Sequence, residues 1–290
     1  GKTTLARVLL GLTAPDQGTV VELDGKVLGG SLADRGPEEV RALQIVFQNP
    51  DSALNRRFSA RRILARALTK LVGLDGPRRS ERVLELARAV RFDERLLGAR
   101  PAQLSGGLKQ RVAIARAFAG DPRVVVCDEP TSALDVSVQA AILNLLVELQ
   151  GEQGVSYLFI SHDLGVVRYL ADRIAVLYLG RVMEVGDAAT VFAAPHHPYT
   201  EALVSAVPAF EGEGRPRIRL EGEIPSAAEP PSGCVFHTRC PRKLGEICER
   251  EEPPLAEVEP GHMLRCHIPL DELRSVQAVP PPNQPRPPQP

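Results

Sequence analysis

The 290-residue sequence has no apolar run of the length that a membrane-spanning helix requires. Its longest apolar stretches, such as Val124–Cys127 and Ile174–Leu179, are far shorter than the roughly 20 residues needed to cross a bilayer. No signal-peptide pattern is visible at its start. If the chain serves a membrane, we therefore expect it to do so by docking on other chains.

An excess of charge of one sign is also lacking. The sequence has 35 Lys and Arg residues against 36 Asp and Glu residues, a formal net charge of −1. This balance gives no electrostatic argument for binding nucleic acid or an anionic membrane surface. A hydrophobic content of 43% and a charged content of 24% are ordinary for a globular protein, and the length suits one large domain with or without a small appendage.

Cysteine is scarce and unevenly placed. Of the five cysteines, Cys127 stands in an apolar segment and is predicted to be a small core residue. The other four are close together in the sequence near the C-terminus: Cys234, Cys240, Cys248 and Cys266. Because a cytosolic chain keeps its thiols reduced, this group is more typical of a metal site than of disulfides.

Helix-like and strand-like segments alternate through about residue 195, which predicts an α/β layered domain. Residues 51–120 contain no strand pattern and are predicted to be a helical insertion. The individual elements predicted are a helix at Lys2–Leu12, short strands at Thr19–Leu23 and Gln44–Phe47, buried parallel strands at Val124–Cys127 and Tyr157–Ile160, a helix at Val136–Gln150, and a hairpin at Arg173–Val185 turning at Gly180.

The composition changes after Pro195. Pro, Gly and Glu become frequent and the periodicity fades, which predicts a domain boundary near residue 195. Residues 196–275 then form a second region, and residues 276–290 form a proline-rich tail that we expect to be disordered.

The first motif is Gly1-Lys2-Thr3-Thr4, which opens the first helix. It matches the last four positions of a phosphate-binding loop, where Lys2 would reach the β- and γ-phosphates and the Thr3 hydroxyl would bind Mg²⁺. A helix that simply begins with Gly-Lys explains four residues equally well. Because residue 1 is not Met and lies inside this loop, we expect a strand and the first half of the loop to precede it.

The second motif is the apolar strand Val124–Cys127 followed by Asp128 and Glu129. A buried strand of an open α/β sheet delivers such carboxylates to the sheet edge where ligands bind. Asp128 would hold Mg²⁺ through water, and Glu129 would polarise an attacking water. The alternative is a strand followed by a solvated acidic turn. This alternative is disfavoured because a helix that starts with Lys-Thr lies about 125 residues earlier in the sequence.

The third motif, Leu104-Ser105-Gly106-Gly107-Leu108-Lys109-Gln110-Arg111, resembles the signature sequence of ABC ATPases. It is expected to open a helix that runs to Gly120, with bare glycine backbone and the helix dipole presenting N–H groups to an anion. The family usually has Gln where this chain has Leu108. That departure leaves the Ser-Gly-Gly segment intact.

Three further segments resemble ABC elements and follow in the family's order. Gln48 resembles the Q-loop glutamine, which senses Mg²⁺ and links nucleotide to the membrane subunits. Ser132-Ala133-Leu134-Asp135 resembles the D-loop, which contacts the opposing subunit, and His162 resembles the switch histidine, which contacts the γ-phosphate. The resemblance extends over about residues 1–162.

This resemblance implies an α/β fold with an ABC-type, RecA-like P-loop ATPase core at residues 1–195, a helical subdomain at about 51–120 and a small Cys-containing extension. It implies two nucleotide domains placed head to tail, with each ATP between the phosphate loop of one and the signature helix of the other. The implied catalytic residues are Glu129, His162 and Gln48, and the implied Mg²⁺ ligands are Thr3, Gln48 and Asp128. The residues implied to bind ATP are Gly1, Lys2, Thr3, Thr4, Gln48, Asp128, Ser105, Gly106, Gly107 and Asp135.

The segment Pro195-His196-His197-Pro198-Tyr199-Thr200 resembles the His-Pro-Tyr segment of oligopeptide, dipeptide and nickel importer ATPases. Its two histidines could ligate a metal, but an entry turn into a helix is the favoured interpretation. The four clustered cysteines also match this subfamily. Their wide spacing and Pro241 favour a [4Fe–4S] cluster over zinc or free thiols.

As partners, the resemblance implies a second ATPase subunit, identical or homologous, two transmembrane permease subunits and, indirectly, an extracytoplasmic solute-binding protein, with no nucleic acid. The chain would lie at the cytoplasmic face of the cell membrane and energise import of peptides or a related solute such as nickel. A tandem-fused importer half, a non-transport ABC ATPase and a metal-binding module with a degenerate core are the alternatives. Intact Asp128, Glu129 and His162 argue against degeneracy.

Overall fold

The computed structural model describes residues 1–207 and 217–277, which divide into two compact units. One unit is Lys2–His162, and the other is Gly1 with the chain from Asp163 onward. In the described part of the chain, no helix is both long and apolar enough to span a membrane.

The described helices and strands follow in chain order. The helices are α1 (Lys2–Leu9), α2 (Pro37–Ala42), α3 (Pro50–Ala53), α4 (Ala60–Val72), α5 (Gly76–Ala89), α6 (Gly106–Ala117), α7 (Val136–Gln153), α8 (Leu164–Leu170), α9 (Ala188–Phe192), α10 (Pro198–Ser205), α11 (Glu246–Arg250) and α12 (Leu270–Gln277). The strands are β1 (Glu22–Leu23), β2 (Lys26–Val27), β3 (Leu43–Val46), β4 (Val124–Asp128), β5 (Ser156–Ile160), β6 (Arg173–Tyr178), β7 (Arg181–Asp187), β8 (Ala256–Glu259) and β9 (His262–Leu264).

The core of the first unit is a parallel sheet in the order β3-β4-β5. The central strand β4 is apolar because both of its faces are covered, and Val125, Val126 and Cys127 are at most 1% exposed. Cys127 is buried in the core cluster, which confirms it as a core residue, and this burial raises the pKa of its thiol. Helix α7 contributes the buried residues Ile142, Leu143, Leu145, Leu146 and Leu149, at the spacing expected of one apolar helix face.

Residues 51–120 fold entirely as helices and turns, as predicted. Helix α4 begins at the N-cap Ser59, whose hydroxyl accepts a hydrogen bond from Arg62 N, and ends at the left-handed Gly73. Its buried residues Ile63, Leu64 and Leu68 join the same core cluster as β4 and α7. The insertion therefore shares a core with the sheet.

Near the N-terminus the predictions were too long. Helix α1 ends at Leu9 instead of Leu12, before Gly11 with φ +70°. The strand expected at Thr19–Leu23 is reduced to β1, which pairs with β2 across Asp24 and Gly25. The pattern of apolar residues in a sequence does not show how many of them will pair with another strand. Here the partner strand β2 has only two residues, so only two residues of the predicted strand are paired.

The second unit contains an antiparallel sheet in the order β6-β7-β9-β8. The β6–β7 hairpin confirms the predicted turn: Leu179 and Gly180 have φ of +44° and +80°, the consecutive positive values that a type I′ turn requires. Because β7 pairs with β9, the β6–β7 hairpin belongs to the same compact unit as the C-terminal residues. The division by contacts therefore falls after His162, earlier than the composition change near residue 195.

The C-terminal region has more structure than its weak periodicity indicated. Residues 196–275 contain α10, α11, β8, β9 and most of α12. Residues 276 and 277, the first two of the predicted tail, belong to α12. The predicted disorder of Pro280–Pro290 falls outside the described residues.

Candidate active site at the carboxyl edge of the parallel sheet

Three predicted site residues follow three neighbouring parallel strands. Gln48 comes after β3, Glu129 after β4 and His162 after β5. Because these strands run parallel in the order β3-β4-β5, their carboxyl ends lie at one edge of the sheet. The fold therefore brings together residues that are far apart in the sequence.

The Glu129 carboxylate is the centre of this group. Gln48 Nε2 donates to Glu129 Oε2 at 3.2 Å, and His162 Nδ1 lies 3.1 Å from Glu129 Oε1. The Glu129 side chain is 19% exposed and that of His162 is 66% exposed. Both carboxylate oxygens are thus held in position while the site stays open to solvent on the histidine side.

The backbone at Glu129 is in an unusual conformation for a residue with a side chain. Its φ is +47°, in the left-handed region that non-glycine residues rarely occupy. Its N–H donates to the Ile160 carbonyl at 2.9 Å, which anchors it to the neighbouring strand. Local strain of this kind is typical of functional sites, where the surroundings hold a side chain in a required direction.

The sequence places Ser132 in the segment that resembles the D-loop but does not predict its contacts with Gln48 and Glu129. Its hydroxyl accepts a hydrogen bond from Gln48 Nε2 at 3.2 Å and donates one to the Glu129 carbonyl at 3.1 Å. Ser132 therefore connects the segment after β3 with the turn after β4. Its place in the segment Ser132–Asp135 was the available signal.

A second contact joins α1 to the end of β4. Thr3 Oγ1 lies 3.4 Å from Asp128 Oδ1, and Asp128 is 6% exposed. A hydroxyl and a carboxylate that face each other are oxygen ligands of the kind Mg²⁺ prefers. Lys2 and Thr4 are exposed on the same helix, and Gly1 precedes it.

The signature segment starts α6 as predicted. Ser105 is the N-cap, and its hydroxyl accepts a hydrogen bond from Leu108 N at 3.4 Å. Within the residues that the structure describes, no hydrogen bond or ion pair joins Ser105, Gly106 or Gly107 to the group around Glu129.

The two signature glycines have a packing reason of their own. A Cβ on Gly107 would lie 2.6 Å from Val138 Cγ1, and one on Gly106 would lie 3.3 Å from Leu134 Cδ2. The first distance is too short for any side chain. These glycines therefore let α6 approach α7 and the segment before it, apart from any role toward an anion.

We expect Gly107→Ala to lower the free energy of unfolding by about 1–3 kcal/mol, the usual effect of inserting a methyl group into a filled space. Adding Val138→Ala removes the clashing methyl groups and should recover most of this loss in urea unfolding measurements. Gly151→Ala, in helix α7 with nothing within 4 Å of its added Cβ, is the control for a Gly-to-Ala change that meets no neighbour. A double variant as unstable as Gly107→Ala would contradict the packing explanation.

Asp135 has a defined structural role as the N-cap of α7. It accepts hydrogen bonds from Val138 N at 3.0 Å and from the Ser137 hydroxyl at 2.8 Å. These bonds hold the pKa of the Asp135 carboxyl below its ordinary value. Asp135 is thus a fixed anion at the start of α7, close in sequence to Ser132.

In the second unit, the His-Pro-Tyr turn is organised by a buried carboxylate. Glu184 on β7 is 0% exposed; its Oε2 accepts from His197 N and its Oε1 bonds His262 Nε2, both at 2.9 Å. His197 Nδ1 accepts a hydrogen bond from Tyr199 N at 3.0 Å and caps α10. The interpretation of this segment as a helix entry is therefore confirmed.

Burial lowers the pKa of His197 to about 4, so His197 is neutral in the folded protein. In the unfolded chain it takes up a proton below about pH 6.5. Stability should therefore be unaffected above that pH and should fall between about pH 6.5 and 4, by up to about 3 kcal/mol.

His197→Asn keeps an oxygen that can cap α10 but removes this titration. Urea unfolding at pH 7.5 and pH 5 should show a smaller pH-dependent loss in the variant than in the unaltered protein. An equal loss in both would contradict the assignment.

The four clustered cysteines lie in one part of the second unit. The pKa of Cys240 and that of Cys266 are raised to about 12, mainly by burial and to a smaller extent by the neighbouring cysteines. Backbone N–H groups two residues further along the chain bond three of the sulfurs, those of Cys234, Cys240 and Cys266. Among the described residues, no three His, Cys, Asp or Glu side chains are arranged to hold a single metal ion.

Two family profiles match the chain. The ABC transporter family matches residues 1–132, and the C-terminal region of oligopeptide/dipeptide transporters matches residues 183–248. Two solved structures share the fold, each with 31% sequence identity. The first is cbiO1 from Clostridium perfringens, part of the ABC transporter complex cbiONQ, with a TM-score of 0.58 over 66% of this chain and 74% of that one. The second is the ATP-binding cassette MJ0796 in a post-hydrolysis state bound to ADP and Pi, with a TM-score of 0.55 over 65% of this chain and 81% of that one.

Curated relatives match over nearly the whole chain. The probable peptide ABC transporter ATP-binding protein y4tS of Sinorhizobium fredii is 44% identical over 273 residues, 92% of this chain and 76% of that protein. The oligopeptide transport ATP-binding protein AppF of Bacillus subtilis is 42% identical over 272 residues, 92% and 82% of the two chains. The chain therefore belongs to the ATP-binding subunits of ABC transporters, a family of ATP hydrolases, and to the group that carries the oligopeptide/dipeptide transporter C-terminal region.

Proposed function

We propose that this chain hydrolyses ATP at the group around Glu129 and uses the energy to drive peptide import through membrane subunits. The observation that carries the proposal is the convergence of Gln48, Glu129 and His162 at three neighbouring strand ends, beside the Thr3–Asp128 pair. Glu129 is the group with the geometry of a general base, because its carboxylate is fixed by two partners and directed by a strained backbone.

Thr3 and Asp128 would hold Mg²⁺, and Gln48 would complete its ligands. When bound, the metal neutralises charge on the phosphate oxygens. Glu129 orients and polarises the attacking water, while Lys2 and His162 contact the phosphates. The hydrogen bond from Gln48 and the contact of His162 with Glu129 would be exchanged for contacts to nucleotide as ATP binds.

We assign Ser105, Gly106 and Gly107 to the ATP of a partner subunit. The helix that they open carries the positive end of a helix dipole and the backbone N–H groups of its first turn, the kind of group that binds anions. Since they make no contact with the Glu129 group in the described part of this chain, a head-to-tail partner supplies the phosphate that they would meet. Asp135 would lie at the same interface.

Peptides are the proposed solutes. The relatives are named for peptide or oligopeptide transport, and the chain carries the matching C-terminal region. The partners would then be a second ATPase subunit, two transmembrane permease subunits and an extracytoplasmic solute-binding protein that acts on the permeases. The chain would lie peripherally at the cytoplasmic face of the membrane.

The test is ATP hydrolysis by the full-length protein assembled with its permeases in vesicles that enclose the solute-binding protein. Short peptides loaded with that protein should stimulate hydrolysis and accumulate on the ATP side. If nickel stimulates ATP hydrolysis and peptides do not, nickel and not a peptide is the solute. Absence of any ATP hydrolysis would overturn the proposal as a whole.

We further propose that Cys234, Cys240, Cys248 and Cys266 bind a [4Fe–4S] cluster. Two buried thiols, those of Cys234 and Cys248, two half-buried thiols, and backbone N–H groups bonded to three of the sulfurs are the types of ligand and hydrogen bond that such clusters use. Iron and sulfide in near-equal amounts in anaerobically purified protein would support this assignment. Zinc alone would defeat it.

A further inference from the structure

An ion pair joins the signature helix to the segment that follows Gln48. Lys109 Nζ on α6 lies 2.8 and 3.0 Å from the two carboxylate oxygens of Asp51 on α3. The Lys109 side chain is only 17% exposed and that of Asp51 is 37% exposed. A pair that is partly screened from water and contacts both oxygens is stronger than an ordinary surface pair.

The position of Asp51 is tied to that of Gln48. Helix α3 has a single turn and is capped by Asn49, whose side chain accepts from Asp51 N at 2.8 Å. Only Asn49 and Pro50 separate Gln48 from Asp51, and Pro50 is buried. A displacement of the Gln48 backbone would therefore move the Asp51 carboxylate with it.

The other end of α3 is also held by α6. Arg116 Nη1 donates to the carbonyl of Ala53, one of the carbonyl groups that the end of a short helix leaves without a partner. Lys109 and Arg116 are seven residues apart, which places them two turns apart on the same face of α6. Two cations of one helix thus hold both ends of α3.

Both ends of this connection lead to proposed ATP contacts. Gln48 Nε2 contacts Glu129 and Ser132. Lys109 N donates to the Ser105 carbonyl at 2.9 Å, so the cation stands one turn from the signature serine. The path from Glu129 to Ser105 through Gln48, Asp51 and Lys109 lies within the first compact unit.

We propose that the Lys109–Asp51 pair, supported by Arg116, is a positioning device that couples the two ATP sites of the assembled ATPase. The inference rests on the proposed function, in which Gln48 serves one ATP and Ser105 of the same chain serves the other. When nucleotide draws Gln48 away from Glu129, α3 moves and the ion pair carries the displacement to the first turn of α6. The displacement that nucleotide causes at a chain's own ATP site is thereby transmitted to the ATP site that this chain completes for its partner.

The experiment compares Lys109→Gln, Asp51→Asn and the reversed pair Lys109→Asp with Asp51→Lys in the full-length protein assembled with its membrane subunits. The readouts are the Hill coefficient for ATP, kcat at saturating ATP and the melting temperature. Both single variants should lower the Hill coefficient from about 2 toward 1, which corresponds to losing about 100-fold or more in coupling between the sites. The reversed pair should recover most of the cooperativity.

Arg95→Gln is the matched control, because Arg95 pairs with Asp93 on the same helical insertion with its side chain 90% exposed. It should leave the Hill coefficient and kcat unchanged. Three outcomes would each overturn the inference. The single variants could behave like Arg95→Gln, the reversed pair could fold and melt normally but stay uncooperative, or the wild type could hydrolyse ATP without cooperativity. A wild type that hydrolyses no ATP would instead overturn the proposed function.

Discussion

Replacing Glu129 by Gln is expected to lower kcat for ATP hydrolysis by about 10²–10⁴, the usual effect of losing a positioned base. The amide has nearly the shape of the carboxylate, so the strained turn and the bond to Ile160 should persist. The amide cannot accept a proton from water. Because Lys2, Thr3 and Asp128 remain, Mg-ATP binding should survive.

This prediction is checked by measuring kcat and the affinity for a fluorescent ATP analogue in the same preparation. Glu148→Gln removes a half-exposed carboxylate that pairs with Arg91 and should change neither quantity. Turnover at the wild-type rate in Glu129→Gln would remove Glu129 from its proposed role. Loss of nucleotide binding together with turnover would point to a structural role instead.

Replacing Glu184 by Ala is expected to lower the free energy of unfolding by about 3–5 kcal/mol, because removing one member of a buried polar pair leaves its partners unsatisfied. The carboxylate is 0% exposed and connects β7 to His262 on β9 and to the backbone of His197. A loss of this size is a large fraction of the stability of an ordinary domain.

Urea unfolding followed by circular dichroism would measure the effect. Glu184→Gln should lose less than the Ala variant, since it keeps one oxygen that can accept from His197 N. Asp187→Ala, at the exposed end of the same strand, should change stability by no more than about 0.5 kcal/mol. If Glu184→Ala unfolds within 1 kcal/mol of the wild type, the carboxylate does not organise this turn.

The central strand of the first unit and the hairpin of the second could be predicted because their physical causes are local. Val124–Cys127 is apolar throughout, as a strand covered on both faces must be, and Leu179–Gly180 lies between two strand patterns. The convergence of Gln48, Glu129 and His162 followed from the parallel order of the strands once the resemblance had identified them. The short strands β2, β8 and β9 gave no such signal, because two to four residues are too few to show a period, and β1 was predicted too long.

Other features depend on contacts that no local pattern encodes. Glu184 reads as one acidic residue in a strand, and only the fold shows that it meets His262, 78 positions later. Lys109 and Asp51 are 58 positions apart and were noticed only as parts of other segments. The sequence accounts for glycine at position 107 only by the close approach of an anion. The contact with Val138 gives a second, steric reason for glycine at this position.

The most direct test of the central claim is a structure of the full-length Glu129→Gln protein, assembled with its partner ATPase and bound to Mg-ATP. The account predicts that Ser105 Oγ of one subunit lies about 3 Å from a γ-phosphate oxygen of the ATP held by Lys2 and Thr3 of the other. An ATP-bound assembly in which Ser105 contacts no phosphate of either nucleotide would contradict it.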